Sequence, residues 1–275
     1  MRNAIAVMVM MCGTGLATTA AAQTADRPSD APASANGTST HVEFDAGAFY
    51  QSGDYGTGEQ IETWSMPFSV TAQRGRLRLS ASLPYLVTNA PGDVIVNSGG
   101  PFGLPLFSSS QTQTTRMHRE GLGDLVVAGD YTLPVSGVQA VVGASVKLPT
   151  ASVEKGLGTG KTDYSIRGGL AKPIGRVTPF VDVAYNFIGQ PKAYSTQDGV
   201  SASAGARFRL SRHLVTTAAY DYSRGAVEGF GDRQSVRLGL NASLGDHLGL
   251  GVYGSKGVSR AAADTGAGLQ LGLGF

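Results

Sequence analysis

The chain closes on Thr265-Gly-Ala-Gly-Leu-Gln-Leu-Gly-Leu-Gly-Phe275, and the reading of these eleven residues decides the fold. Ala267, Leu269, Leu271, Leu273 and Phe275 fall on one face of an extended chain; Gly266, Gly268, Gln270, Gly272 and Gly274 fall on the other. Strict alternation of this kind is the mark of a β-strand with one apolar face. The pattern recurs upstream. Val236, Leu238, Leu240, Ala242 and Leu244 oppose Ser235, Arg237, Gly239, Asn241 and Ser243. Leu248, Leu250 and Val252 oppose His247, Gly249, Gly251 and Tyr253, and the even positions from Val138 to Leu148 oppose Gln139, Val141, Gly143, Ser145 and Lys147. Period alone does not separate a soluble sandwich, with its apolar face inward, from a membrane barrel, with its apolar face on lipid.

Connection lengths do separate them. The pattern predicts twelve strands, at 41–51, 60–73, 76–89, 122–133, 138–149, 162–173, 177–188, 200–210, 213–223, 234–244, 247–256 and 265–275. Connections of two to four residues (Arg74-Gly75, 134–137, 174–176, Ser211-Arg212, Gly245-Asp246) alternate with connections of eight or more (52–59, 90–121, 150–161, 189–199, 224–233, 257–264). Transmembrane barrels pair short periplasmic turns with longer extracellular loops in this way. Strands of ten or more residues suit a tilted bilayer crossing, whereas globular strands average about five or six. The expected fold is therefore all-β: a transmembrane antiparallel β-barrel with an even strand count and both termini periplasmic. Tyr50, Tyr85, Tyr131, Tyr164, Tyr185, Phe208, Tyr220 and Tyr222 fall near strand ends in the outward register, where aromatic girdles meet headgroups.

Composition agrees. Glycine is 39 of 275 residues, about 14%, against roughly 7% in average usage, and charged residues are 15%, against about 25%. The polar load rests on Gly, Ser and Thr, since mean hydropathy is only −0.02. A long coiled coil is excluded by this composition, and a disulfide scaffold by the single cysteine, Cys12. A net charge of +2 with no basic run longer than two residues argues against nucleic acid as a partner.

The N-terminus carries Arg2, then an uncharged run from Ile5 to Ala17, then Thr18-Thr-Ala-Ala-Ala22. This is the layout of a secretory signal peptide over 1–22, with cleavage expected after Ala22. Residues 23–40 read as a disordered periplasmic lead-in rich in Pro, Ala, Ser and Thr, and 41–275 as the barrel. The expected location is the outer membrane of a Gram-negative bacterium. The expected partners are the lipid bilayer, the outer-membrane assembly machinery and a small-molecule solute, and the expected state is a monomer.

No residue is singled out as catalytic, cofactor-binding or metal-ligating. Gly156-Leu-Gly-Thr-Gly-Lys-Thr162 looks like a phosphate-binding loop, but that motif needs glycine where Lys155 stands; the segment reads instead as a flexible loop tip before Asp163. His41, His118, His213 and His247 lack the H-x-S-N-G run of an outer-membrane phospholipase, and no His or Cys neighbour stands at metal-ligand spacing. The charges inside strands are more informative. Glu43, Asp45, Asp124, Asp130, Asp163, Asp182 and Asp221 face inward in this register, as do Arg76, Arg78, Lys147, Arg167, Arg207, Arg209 and Arg237. On lipid each basic residue would cost roughly 2–4 kcal/mol at the midplane, so these fourteen are the candidate lumen-lining set. They brace the wall as a salt-bridge ladder, or constrict it for selectivity, or both. The 90–121 connection carries Phe102, Leu104, Leu106 and Phe107 among prolines and glycines. This apolar group either folds in as a lid or first binding patch at the mouth, or protrudes.

Gly121-Leu-Gly-Asp-Leu125, Lys147-Leu-Pro-Thr150, Gly156-Leu-Gly-Thr-Gly160, Asp163-Tyr164 and Leu83-Pro-Tyr85 together resemble the family named Putative MetA-pathway of phenol degradation. The resemblance spans 41–275 and is most specific over 121–164, with Ala151 where that family commonly has glycine. It implies an outer-membrane barrel grouped with hydrocarbon and phenol uptake channels. The expected function is passive uptake of small molecules, aromatic or hydrophobic ones among them. The alternative is a structural or interaction barrel with a filled lumen whose extracellular loops carry the function. The outward Phe275 at the end of an alternating strand reads as part of the assembly signal, and its strand is expected to pair with 41–51 to close the barrel. Deleting Phe275 is expected to leave the chain in the periplasm, measured by membrane fractionation; normal outer-membrane yield would refute the assignment.

Overall fold

In the computed structural model the described residues are 39–92, 94–97, 104–107, 115–191, 195–227 and 230–275. The expectations for 1–22 and 23–38, and Phe102, lie outside them. The described chain is all-β. Its strands are β1 (Thr40–Gly53), β2 (Ile61–Arg74), β3 (Leu77–Pro91), β4 (Val94–Asn97), β5 (Leu104–Phe107), β6 (Arg116–Leu122), β7 (Leu125–Leu133) and β8 (Gln139–Leu148). There follow β9 (Asp163–Ala171), β10 (Val177–Phe187), β11 (Gly199–Arg209), β12 (Leu214–Ser223), β13 (Arg233–Leu244), β14 (Leu248–Gly257) and β15 (Thr265–Gly274). Every pairing in the main sheet is antiparallel, running from β7 in sequence order to β15, on to β1 and β2, and closing through β3 back to β7. This is a closed twelve-strand barrel with β6 as an extra strand.

Closure lies at the seam between the chain ends. β15 pairs with β1 from Glu43↔Gly274 to Ser52↔Thr265. The ladder continues past the strand ends, with the Phe275 N–H donating to the Val42 carbonyl at 2.8 Å and the Val42 N–H to the Phe275 carbonyl at 3.1 Å. A sheet closed on itself leaves no edge, which is the condition for strands to sit in hydrocarbon.

Burial alternates as the sequence predicts. Along β13, Val236, Leu238, Leu240 and Leu244 are exposed while Arg237, Asn241 and Ser243 are buried. The exposed belt of Phe44, Trp64, Phe68, Leu79, Ile166, Leu238 and Leu271 runs round the whole barrel. A soluble monomer rarely exposes an apolar patch beyond a few hundred Å², so this belt belongs on lipid. The five short turns run from two to five residues, and Gly75 and Gly245 in two of them take φ of +58° and +76°, a conformation glycine adopts without strain.

One prediction needs correction. Residues 90–121 are not a structureless loop, and the strand expected from 122 begins earlier. β3 runs to Pro91, β4 and β5 pair as a separate hairpin, and β6 runs from Arg116. The long β3 pairs with β7 near the turns and with β6 near the mouth, so β6 and β7 form one interrupted strand. Gly123-Asp124 makes the interruption, held by the Gly123 N–H on the Pro84 carbonyl at 2.8 Å.

The closed sheet is expected to resist SDS at room temperature. Unboiled protein in detergent should therefore migrate differently on a gel from boiled protein; identical migration together with solubility in detergent-free buffer would exclude the barrel.

Candidate functional site: the barrel interior and its mouth

Of the fourteen candidate charges, Glu43, Arg78, Asp124, Asp130, Lys147, Asp163, Arg167, Asp182, Arg207, Asp221 and Arg237 are buried; Asp45, Arg76 and Arg209 are half-buried. Several are joined in pairs. Arg167 grips Asp130 with both arms, Nε to Oδ1 at 2.7 Å and Nη2 to Oδ2 at 2.6 Å. Arg237 does the same to Asp221 at 3.0 Å on each arm, and Ser203 donates to Asp221 Oδ1 at 2.7 Å. Bidentate pairs of this kind fix geometry as well as charge. Arg78 lies 3.8 Å from Glu43. The Arg207 guanidinium covers the Phe180 ring at 4.5 Å.

Glycines make the longer reaches possible. Asp130 and Arg167 stand on β7 and β9, two strands apart, and the residue between them in register is Gly143. A Cβ there would collide with the Asp130 carboxylate and lie 3.0 Å from Arg167 Nε. Gly268 plays the same part beneath Phe49 and Tyr253, whose rings stack at 5.7 Å across β15. The inward glycines thus open sight lines between alternate strands.

A second cluster sits at the long-connection end. Lys147, with no exposed side-chain surface, lies between Asp163 Oδ2 at 2.7 Å and Asp124 Oδ2 at 3.2 Å, and 3.4 Å from Thr159 Oγ1. Asp124 Oδ1 accepts the Ala151 N–H at 3.0 Å, and Asp163 Oδ1 accepts the Gly189 N–H at 2.9 Å. Thr150 Oγ1 accepts the Leu125 N–H and donates to the Gly123 carbonyl, which staples the break between β6 and β7. The 150–161 segment is therefore not a free loop tip, as its glycines suggested: it folds inward, with Leu157 fully buried against Leu86 and Ala151. The segments around Gly121-Asp124, Lys147-Thr150, Gly156-Gly160 and Asp163 meet in this one place.

Above lies an apolar roof drawn from several connections. Tyr55, Ile61, Ala90 and Val94 pack together with Phe230 and Ala263, and Ile188, Ala226 and Val227 pack with Ile95 and Phe230. Arg119 ties the β4 hairpin down, donating to the Val94 carbonyl at 2.6 Å and the Pro91 carbonyl at 3.1 Å. Burial pushes the Tyr55 phenol up to about 12, against a smaller opposing pull from Arg233, whose guanidinium lies 5.8 Å from the ring. The 90–121 segment contributes Val94 and Ile95 to this roof; of Leu104, Leu106 and Phe107 only the backbone, in β5, is described. Sequence reading missed the roof because its members are single apolar residues scattered through polar connections. At the opposite rim Phe275 packs edge-on to Phe44 at 6.3 Å and stacks on His247 at 6.4 Å. Among the described residues there is no group of three or more His, Cys, Asp or Glu that could hold a metal.

A closed twelve-strand barrel, apolar outside and polar within, is a porin-like outer-membrane β-barrel. The chain belongs to the family described as Putative MetA-pathway of phenol degradation, matched over residues 25–275. Among solved structures it is similar in fold to an outer-membrane channel from Pseudomonas putida F1, at TM-score 0.62 and 10% identity, covering 90% of this chain and 100% of that one. It is also similar to the NanC porin, at TM-score 0.50 and 8% identity, covering 84% and 98%. No curated protein matches the sequence.

Removing the Lys147 cation leaves two buried carboxylates facing each other. Losing one partner of a buried ion pair costs about 3–5 kcal/mol, so Lys147→Met is expected to lower the temperature of the gel-mobility shift and expose 150–161 to protease. An unchanged shift temperature and unchanged cleavage would show that the cluster holds nothing.

Proposed function

We propose that this protein is a monomeric outer-membrane channel for the passive uptake of small aromatic or hydrophobic compounds. The observation that carries the reading is the roof: apolar residues from four connections and the β4 hairpin converge on the mouth of a barrel whose interior is polar. The roof members are buried against one another, so an apolar solute enters by parting contacts of its own chemical kind, and the polar lumen beneath holds it weakly enough to pass it on. Membership of a family described by phenol degradation fits this solute class.

The candidate interior charges are seven acidic and seven basic; Asp130–Arg167 and Asp221–Arg237 neutralise one another in pairs, while the single Lys147 cation is shared by two carboxylates, Asp124 and Asp163. A balanced interior puts no net field on the path, so the channel discriminates weakly between anions and cations, and neutral solutes pass without an electrostatic barrier. The burial of eleven of those fourteen side chains also favours a second reading, a filled barrel whose loops do the work. Flux separates the two. Twelve strands lie between eight, which side chains fill, and sixteen to eighteen, which leave an aqueous channel.

Vesicles carrying the refolded protein are expected to admit phenol-sized neutral solutes faster than empty vesicles. Excising 95–112, which removes Ile95 from the roof, should alter the flux of apolar solutes relative to polar ones while the barrel stays heat-modifiable. No flux above that of empty vesicles would favour the filled barrel, and an unaltered apolar-to-polar ratio after excision would remove the roof from the uptake path.

A further inference from the structure

The wall formed by β14, β15 and β1 differs from the rest of the interior. At its middle the inward positions next to Gln270 are glycine, while Glu43, Asp45, Gln51 and Ser255 stand toward its two ends. Gln270 on β15 is directly opposite Gly47 on β1 and Gly251 on β14, with Gly268 and Gly272 at the neighbouring inward positions of its own strand. Gln270 is 8% exposed, and its amide oxygen is buried with no hydrogen-bond partner. A buried polar group left unpaired costs about 1–3 kcal/mol, so an amide kept at such a position has a partner to meet.

The surroundings say what kind of partner. One inward step toward the mouth, Phe49 and Tyr253 stack at 5.7 Å over Gly268. The Phe49 ring turns down toward the amide, since a Cβ on Gly47 would lie 2.5 Å from Phe49 Cζ. One inward step toward the turns stands Asp45, whose carboxyl is already held by the Glu43 side chain and by Ser69 Oγ, which donates to Asp45 Oδ2 at 3.2 Å. Gly251 and Gly272 complete the frame with no side chain of their own. Aromatic edges, flat glycine backbone and the unpartnered Gln270 acceptor set side by side match a planar ring that bears a hydroxyl donor.

We infer that this stretch of wall around Gln270 is a binding site within the lumen for a small aromatic alcohol of the phenol type. The Gln270 side chain turns on its flexible stem to bring its buried amide oxygen to the hydroxyl, and the ring takes the place beside Gly251 and Gly272 against the Phe49–Tyr253 pair. The inference rests on the uptake reading for its solute class and goes beyond it in naming the station on the path.

The test is equilibrium binding to the full-length folded protein in detergent, followed by fluorine NMR with 4-fluorophenol and, as the ring lacking a donor, 4-fluoroanisole. Wild type is expected to bind 4-fluorophenol saturably and 4-fluoroanisole at least tenfold more weakly. Gln270→Leu should weaken 4-fluorophenol at least tenfold and leave 4-fluoroanisole unchanged. Gly251→Val, which fills the frame without touching the amide, should weaken both; each variant is checked for folding by its gel-mobility shift. Saturable binding of 4-fluorophenol that is the same in wild type and both variants, or no saturable binding by wild type, overturns the site. Vesicle flux is read separately: binding that depends on Gln270 without flux sinks the channel and keeps the site, whereas flux without such binding sinks the site and keeps the channel.

Discussion

In hydrocarbon no water is present to satisfy a backbone N–H or C=O, so every one of them in a spanning segment must find a partner in the protein. The rest of this structure follows from that constraint. It forces the sheet to close, and closure happens where β15 meets β1, the last strand against the first. Closure at a fixed register then dictates which residues face inward. The apolar partners Leu269, Leu271 and Leu273 lie outside with Ala48, Ala46 and Phe44, and the inward face they leave is glycine and Gln270 on β15 facing Glu43, Asp45, Gly47 and Phe49 on β1. A slip of one residue would turn the whole set over.

Once the wall is fixed, charge has only one place to go. The charged strand residues turn inward, and most of them neutralise one another there. The two bidentate pairs and the Lys147 cluster are internal and screened little, and the Asp130–Arg167 pair depends on Gly143, which clears the way across β8. The same device, glycine under a cross-strand pair, serves an ion pair at Gly143 and an aromatic pair at Gly268. High glycine content is therefore a packing requirement of a narrow barrel rather than a sign of looseness.

Much of this was legible in the sequence. Strand positions, the alternation of short and long connections, the inward register of Asp130, Arg167, Asp221 and Arg237, and the joining of the final strand to the first all follow from a period of two. Three things were not. The break at Gly123-Asp124 hides because a strand pattern read along the chain does not show that β3 is long enough to pair with two successive pieces. The inward fold of 150–161 hides because glycine and threonine read as loop in any setting, and only Lys147 standing between Asp124 and Asp163 explains their docking. The roof of Tyr55, Ile61, Val94 and Phe230 hides because no periodicity links residues from separate connections.

The claim on which all of this stands is the register of the closing seam. Ala46 and Leu271 are directly opposite across it, while Ala46 and Leu269 are offset by two residues, since Leu269 pairs with Ala48. On a background in which Cys12, the only cysteine, is replaced by serine, the double substitution Ala46→Cys with Leu271→Cys is expected to form an intramolecular disulfide under mild oxidation. It should do so only in the heat-modifiable form, and Ala46→Cys with Leu269→Cys should not. A cross-link at the offset pair alone, or at neither pair in protein that shifts normally on heating, would contradict the closed barrel and the inward wall derived from it.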